Sequence, residues 1–430
     1  MTPARDYALS IIDQIALPFW SAGAMRRRRK TIAVPEDPRD RALAEHLYIG
    51  VVKNLLHLQF LLARLAGRNL RSIDLLVQKI AAIGLYQLRF MTRIPAHAAV
   101  DEAVEQARRL GRARACGFVN AVLRKAAQAD VALPDPAVQA DLYARQVLSH
   151  PRDLFGRLAS LFGTDDALRI CEHNNSQPPT VVRLMAGASP QALLGAGVPI
   201  LEHQQPGMYI VQITTAALLA DWAARGIAQA QDPTAALAVE AMDLSPGQVV
   251  LDRCCGAGTK TLQIVENVGP TGLVVAMDPS VERCEMLSRM LAARGVSNVR
   301  VRPAGMIDKL GPADPREFDR ILIDVPCSNS GVLARRPEAR YAQTDRAIAS
   351  LSRLQDRILA DAAGALRPGG RLVYSTCSLW PEENQQRVEA FLANHSSYRL
   401  VDQKTTLPSL DSHPTRYRDG GYCAVLKRSG

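Results

Sequence analysis

The 430-residue chain is poor in aromatic residues, which make up 5% of it. It also lacks any apolar run long enough to cross a bilayer, for which roughly 18 uncharged residues are needed. The best stretch, LHLQFLLARLAG, is interrupted by Gln59 and Arg64. Cysteine is sparse: 8 residues are spread over the chain, which excludes a disulfide-stapled scaffold, and Gly (28) and Pro (26) are too few for collagen-like or low-complexity text. No export signal is legible, because the basic run Arg26 to Lys30 follows the apolar stretch at the N-terminus instead of preceding it. The expectation is a cytoplasmic protein with reduced thiols and no membrane partner. What is present, 47% hydrophobic and 22% charged residues, suits two or three globular domains.

Acidic residues are scarce in one place only. Residues 1 to 130 hold 21 Lys+Arg against 11 Asp+Glu, whereas the remaining 300 residues are balanced at 31 of each. A basic module on a neutral body points to a polyanion, since Lys and Arg gain affinity by releasing counterions from phosphate backbones. Arg108, Arg109, Arg112, Arg114, Arg124 and Lys125 are the candidate contacts, and a solvated basic surface is the plain alternative.

Leu43, Leu47, Val51, Leu55, Leu58, Leu62 and Leu65 recur at spacings of three or four and predict one helix from Arg41 to Leu65. Ile73 to Ile83, Val100 to Leu110 and Phe118 to Leu123 add further helices, so residues 1–128 read as all-helical. Pro134, Pro136 and Pro151 mark a linker or inter-domain helix. TVVRL, PQALLGAG and MYIVQI then predict a small α+β module, making 129–235 the middle segment. From 236 to 430 short apolar runs alternate with amphipathic helices: QVVLD, LVVAMD, NVRVR, DRILIDV and GRLVYST. They read as buried parallel strands of a doubly wound α/β sheet, whose ligand site lies outside the carboxyl ends of the strands.

The first of these strands runs into LDRCCGAGTKT, with Asp252 ahead of Gly256 and Gly258 where a loop turns into a helix. The second ends at Asp278, placed to accept hydrogen bonds from ribose hydroxyls. NAD and S-adenosylmethionine both fit that pattern. Thr261 in place of a third glycine, and an Asp before the glycines, favour S-adenosylmethionine.

Cys327 and Cys377 fall just past two strand ends and should face the cleft, whereas Cys116, Cys171, Cys284 and Cys423 read as inert thiols. A thiol beside a methyl donor suits pyrimidine chemistry. Carbon 5 of a pyrimidine is a poor nucleophile, but adding a thiolate to carbon 6 makes it enamine-like. A carboxyl such as Asp324 could bond the ring edge, and a base must later remove the carbon 5 proton.

DVPCSNSGVLARRPEARY, LQDRIL, RPGGRLVYSTCS and PEEN resemble the RNA cytosine-5 methyltransferases in which two cysteines serve one site. IGLYQLRFMTRIPAHAAVDEAVEQAR and GFVNAVLRK resemble a NusB-like RNA-binding domain, and the pairing is similar to the RsmB (Sun/Fmu) family. The resemblance implies a NusB-like helical domain at 1–128, a linker and small α+β module at 129–235, and a Rossmann-like class I methyltransferase domain at 236–430. It implies methylation of carbon 5 of a cytosine in small-subunit ribosomal RNA by a monomer, without a metal. By motif, Cys377 is the nucleophile, Cys327 aids product release, and Asp324 holds the base near the methyl donor. Cys254, Cys255, Gly256, Ala257, Gly258, Thr259 and Lys260, with Asp278 and Asp324, are the residues it assigns to S-adenosylmethionine.

The chain departs from the family pattern twice. Ala257-Gly258-Thr259-Lys260 replaces a Pro-Gly-Gly-Lys loop. After the third strand VRPAGMID offers Ala304 and Gly305 where an Asp is usual, with Asp308 displaced. The rival readings are a non-catalytic RNA-binding assembly factor, which the altered loop motivates, and an NAD-dependent oxidoreductase, which Thr261 and the cysteine pair oppose.

Overall fold

The computed structural model of the protein describes residues 3–14, 33–195, 197–212, 215–303, 305–411 and 413–430. The basic run Arg26 to Lys30 and Ala304 lie outside the described residues. Two units are found, Met1–Asn175 with Arg336–Ala342, and Ser176–Arg335 with Gln343–Gly430.

The first unit is helical. Leu75–Phe90 is its central helix, buried on nearly every face and capped by Asp74, whose side chain accepts from the Leu76 and Val77 amides. Leu47, Val51, Leu58 and Leu62 pack into the same core as Ile80, Ile83, Val119 and Leu123. The stretch expected to be one helix from Arg41 to Leu65 is two, Pro38–Lys53 and Leu55–Ala66, bent by 78°. The break is Asn54, at φ −108° and ψ 18°, whose side-chain and backbone amides both donate to the Gly50 carbonyl, at 2.9 and 3.0 Å, and close the first helix. Tyr341 and Arg340 then satisfy the orphaned Val52 and Lys53 carbonyls, each at 2.9 Å. Among the described residues no single helix is long and apolar enough to cross a membrane.

The divisions read from the sequence fall at 128 and 235, but the compact units divide at Asn175. Residues within the proline-marked stretch, including Ala144, Leu148 and His150, are buried, and the helix Ala140–Gln146 packs against the helix Leu55–Ala66. Proline density reports a non-helical connection and carries no information about which core the next helix joins.

The second unit contains two sheets. The small one is antiparallel: β1 (Thr180–Leu184), β2 (Ile200–Glu202), β3 (Met208–Val211) and β4 (Ala228–Ala230), in the order β2-β3-β1-β4. The large one comprises β5 (Val249–Asp252), β6 (Leu273–Met277), β7 (Val299–Arg302), β8 (Phe318–Asp324), β9 (Leu366–Thr376), β10 (Tyr398–Thr406) and β11 (Gly421–Arg428). Its order is β10-β11-β9-β8-β5-β6-β7. The five runs read as parallel strands are β5 to β9 and pair in parallel, while β10 and β11 add an antiparallel edge. NVRVR is the half-buried edge strand β7, which is why its apolar residues alternate with arginines. The chain steps outward from β5 to β7 and returns to β8 on the other side of β5. This creates a switch point between the carboxyl ends of β5 and β8.

Candidate active site

Each strand end at this switch point carries a polar residue. Asp252 closes β5 almost fully buried; one oxygen accepts from Thr261 Oγ1 at 2.6 Å, and the other has no hydrogen-bond partner among the described residues. Burial pushes its carboxyl up to about 6. The loop after β5 turns through Gly258 at φ 88°, where an added Cβ would strain the backbone and stand 2.3 Å from Leu287 Cδ1, forcing that side chain to move. The helix Thr259–Val268 begins there, presenting unpaired amides of its first turn. Cys255 turns its side chain into a cluster with Leu262, Ala276 and Leu287, so its backbone alone is available to the cleft.

Asp278 follows β6 and is 4% exposed. Its Oδ2 accepts from the Gly256 amide at 3.2 Å and its Oδ1 from the Ser280 amide at 2.9 Å, tying the second strand to the glycine loop. Beyond β7, Asp308 is exposed and pairs with Lys309 at 3.4 Å. The carboxylate that braces this loop is Asp361, which accepts from Arg253 Nε at 2.9 Å and from the Ile307 amide, while Arg253 also donates to the Gly305 carbonyl. Nothing in the sequence around Asp361 marks it, because it arrives from a helix far along the chain.

On the other side of the switch point Asp324 closes β8 in register with Ser375 of β9, whose hydroxyl donates to Asp324 Oδ1 at 2.9 Å. Lys260 reaches across from the glycine loop and places Nζ 2.6 Å from Asp324 Oδ2. Burial works to discharge this ammonium, but the charge and hydrogen bond of Asp324 outweigh it and raise its pKa. Sequence reading assigns Lys260 to the cofactor loop and misses this partner.

Cys327 and Cys377 follow β8 and β9, and their Sγ atoms are 3.0 Å apart. Cys377 Sγ also donates to Asn329 Oδ1 at 3.2 Å, and Asn329 Nδ2 donates to the Cys327 carbonyl at 3.0 Å. The Cys377 bond leaves Cys327 as the thiol that donates toward Cys377. That hydrogen bond, with burial and the nearby charges of Cys377 and Glu383, holds the Cys327 thiol well above its ordinary range. The pair is therefore asymmetric: Cys327 keeps its proton while Cys377 receives a hydrogen bond. Asn329 adopts φ 61°, one of three non-glycine residues of positive φ among those described.

Of the six candidate RNA contacts, Arg108, Arg109 and Arg112 are engaged within their own unit. Arg108 pairs with Glu105, Arg109 grips both oxygens of Asp6 at 2.6 and 2.9 Å, and Arg112 lies 3.1 Å from Asp74. Lys125 donates to the Leu65 carbonyl at 3.2 Å. Arg114 and Arg124 are exposed and make no ion pair among the described residues.

A parallel sheet with an acid after its second strand, a glycine turn into a helix, and a buried threonine in place of a third glycine define the class I methyltransferase fold. Comparison with known proteins agrees. Residues 239–417 match the model of the 16S rRNA methyltransferase RsmB/F family, and residues 2–128 match the NusB family. The chain is 33% identical to ribosomal RNA small subunit methyltransferase B of Pseudomonas putida over 91% of each chain. It is similar in fold to the crystal structure of PH0851, with a TM-score of 0.75 at 19% identity, covering 100% of this chain and 99% of that one. A methyltransferase homolog protein from Pyrococcus horikoshii gives a TM-score of 0.55 at 24% identity, covering 67% and 99%. The chain belongs to the RsmB/F family of rRNA methyltransferases, and its cofactor is S-adenosylmethionine. The residues present fit that cofactor: a glycine turn, a helix N-terminus, an orphaned Asp252 oxygen and the Asp278 carboxylate converge at the switch point.

Proposed function

We propose that the protein methylates carbon 5 of a cytosine in small-subunit ribosomal RNA through a transient bond between Cys377 and carbon 6 of the base. The observation that carries this reading is the thiol pair: two cysteines 3.0 Å apart at adjacent strand ends, one receiving and one donating a hydrogen bond. A single-cysteine nucleophile would need no such partner. S-adenosylmethionine, held by the loop Cys254 to Lys260 and by Asp278, supplies an electrophilic methyl group to carbon 5.

Cys377 gives up its thiol proton to solvent and adds to carbon 6 as the thiolate, the electron pair of the ring double bond moving to carbon 5 and the ring, while Asp324 bonds the ring edge and Lys260 balances the carboxylate. Once Cys377 is bonded to carbon, its hydrogen bond and charge no longer hold the proton on Cys327. Cys327 then releases its proton to solvent and takes the carbon 5 proton as a thiolate; the C5–H electron pair re-forms the ring double bond as the Cys377–carbon bond breaks and its pair returns to Cys377. The helical unit docks the RNA backbone through exposed cations, of which Arg114 and Arg124 are unspent.

The test is a map of bisulfite-resistant cytosines in ribosomal RNA from wild-type and deletion cells. A protected cytosine of the small subunit should become convertible in the deletion strain and regain protection on complementation. An unchanged map would contradict the proposal.

A further inference from the structure

Glu383 is a fully buried carboxylate in the PEEN stretch, and among the described residues no Lys or Arg pairs with it. A charge out of water without a counter-ion persists only where hydrogen bonds replace its solvent. Here four donors do so. Oε1 accepts from the Ser328 amide at 2.9 Å and from Gln355 Nε2 at 3.1 Å. Oε2 accepts from the Ser328 and Ser378 hydroxyls, each at 2.5 Å.

The two serines are the residues that directly follow Cys327 and Cys377. Ser330 Oγ also lies 3.1 Å from Ser378 Oγ and accepts the Leu379 amide at 2.8 Å. The next residue, Asn384, accepts from Thr376 Oγ1 at 2.6 Å and donates to the Ser378 carbonyl at 2.9 Å, bracketing Cys377 from both sides. We propose that Glu383 is the positioning residue of the cysteine pair, its one carboxylate clasping the residue after each cysteine and so fixing the two thiols against each other.

The position of the charge gives the clasp a second effect. The titratable groups that face Cys327 are Cys377, Glu383 and Tyr374. Burial and neighbouring charge hold the Tyr374 hydroxyl protonated, so Glu383 and Cys377 are the groups that can act on the Cys327 proton. A carboxylate that only filled space would influence neither the spacing nor the proton. The inference rests on the two-cysteine reaction proposed above, but its test does not require RNA.

The experiment uses the full chain in a Cys377→Ser background and follows iodoacetamide alkylation of Cys327 by peptide mass spectrometry across the neutral to alkaline range. Glu383→Gln, which keeps the shape and removes the charge, should move the alkylation profile to lower pH and speed alkylation at neutral pH about tenfold, the equivalent of one pK unit. Ser378→Ala, which removes one donor of the clasp but keeps the carboxylate, should leave the profile much nearer to that of the parent than Glu383→Gln does. With both cysteines present, Glu383→Gln should lose methyl transfer at least tenfold while S-adenosylmethionine binding, measured by calorimetry, is kept. An unmoved alkylation profile overturns the proposal. So does a parallel loss of cofactor binding, which would make Glu383 a general structural residue. A shifted profile in a chain whose wild type methylates no RNA would uphold the clasp and sink the reaction proposed above.

Discussion

Lys260 Nζ lies 2.6 Å from Asp324 Oδ2, joining the loop after β5 to the end of β8 across the switch point. In the proposed reaction the pair would link methyl-donor binding to base binding, because one residue follows the glycine turn and the other precedes the cysteine. Lys260→Met would leave the Asp324 charge unbalanced in the transition state of that reaction, and losing one electrostatic contact of that kind costs roughly 3 kcal/mol of barrier. Lys260→Met should therefore slow single-turnover methylation about a hundredfold with saturating cofactor. A rate within a few-fold of wild type would show that Asp324 needs no counter-charge.

Asp278 holds the Gly256 amide, and in the proposed reading it also accepts hydrogen bonds from the ribose of S-adenosylmethionine. Hydrogen bonds to a charged acceptor are worth about 1.5 to 3 kcal/mol, so Asp278→Ala should weaken S-adenosylmethionine at least about tenfold. Asp278→Asn keeps an acceptor oxygen and should be milder. Calorimetric affinities equal to wild type for both variants would move the ribose elsewhere.

The basic face divides into spent and unspent cations. Arg114→Ala with Arg124→Ala should reduce the slope of log affinity for RNA against log salt by roughly one unit per lost phosphate contact, leaving the melting temperature unchanged. Arg109→Ala should behave in the opposite way, because it releases Asp6 and the N-terminal helix Pro3–Gln14; the stability loss should be about 1 kcal/mol. An unaltered salt slope in the double variant would return the patch to a solvated surface.

Asp252 gives the protein a pH dependence of definite sign. Its carboxyl is raised by burial from 3.8 to about 6, so between those values the folded state binds a proton that the unfolded state has lost. This contribution is fully present below the unfolded value and is lost as pH rises through the window, on the order of 3 kcal/mol. Asp232, pushed to about 7 by burial and by the charge of Asp419, adds the same sign over a wider range. Denaturant melts of Asp252→Asn against wild type isolate the first share: the variant should lose less stability from pH 4 to 6. Parallel curves would contradict the assignment.

The methyltransferase half was legible because its chemistry is local to strand ends. A buried parallel strand reads as a short apolar run, and the residue after it must face the crevice, so Asp278, Asp324, Cys327 and Cys377 could all be placed. The helical half was legible as helices but not in its break, since Asn54 interrupts no apolar spacing and ends the first helix through its backbone conformation and its bonds to Gly50. The antiparallel strand β10 was not read, because it is largely exposed and lacks the apolar run of the parallel strands; β11 is buried, and nothing in its short run marks it as a partner of β9. Side-chain pairing stayed hidden throughout. Glu383, Asp361 and the Asp6–Arg109 pair join residues distant in sequence, and composition counts Arg109 as a free cation although its charge is already matched.

The separation of the two thiols is the centre of this account, and trapping of the covalent intermediate tests it most directly. Purified wild type, Cys327→Ala and Cys377→Ala are each incubated with small-subunit ribosomal RNA and S-adenosylmethionine, then run on a denaturing gel. Cys327→Ala should accumulate a denaturation-resistant protein–RNA complex, because the bond from Cys377 to carbon 6 forms but is not resolved. Cys377→Ala should give neither complex nor methylated RNA. A complex that accumulates with Cys377→Ala and not with Cys327→Ala would reverse the assignment, and the absence of a complex from both would contradict covalent catalysis by this pair.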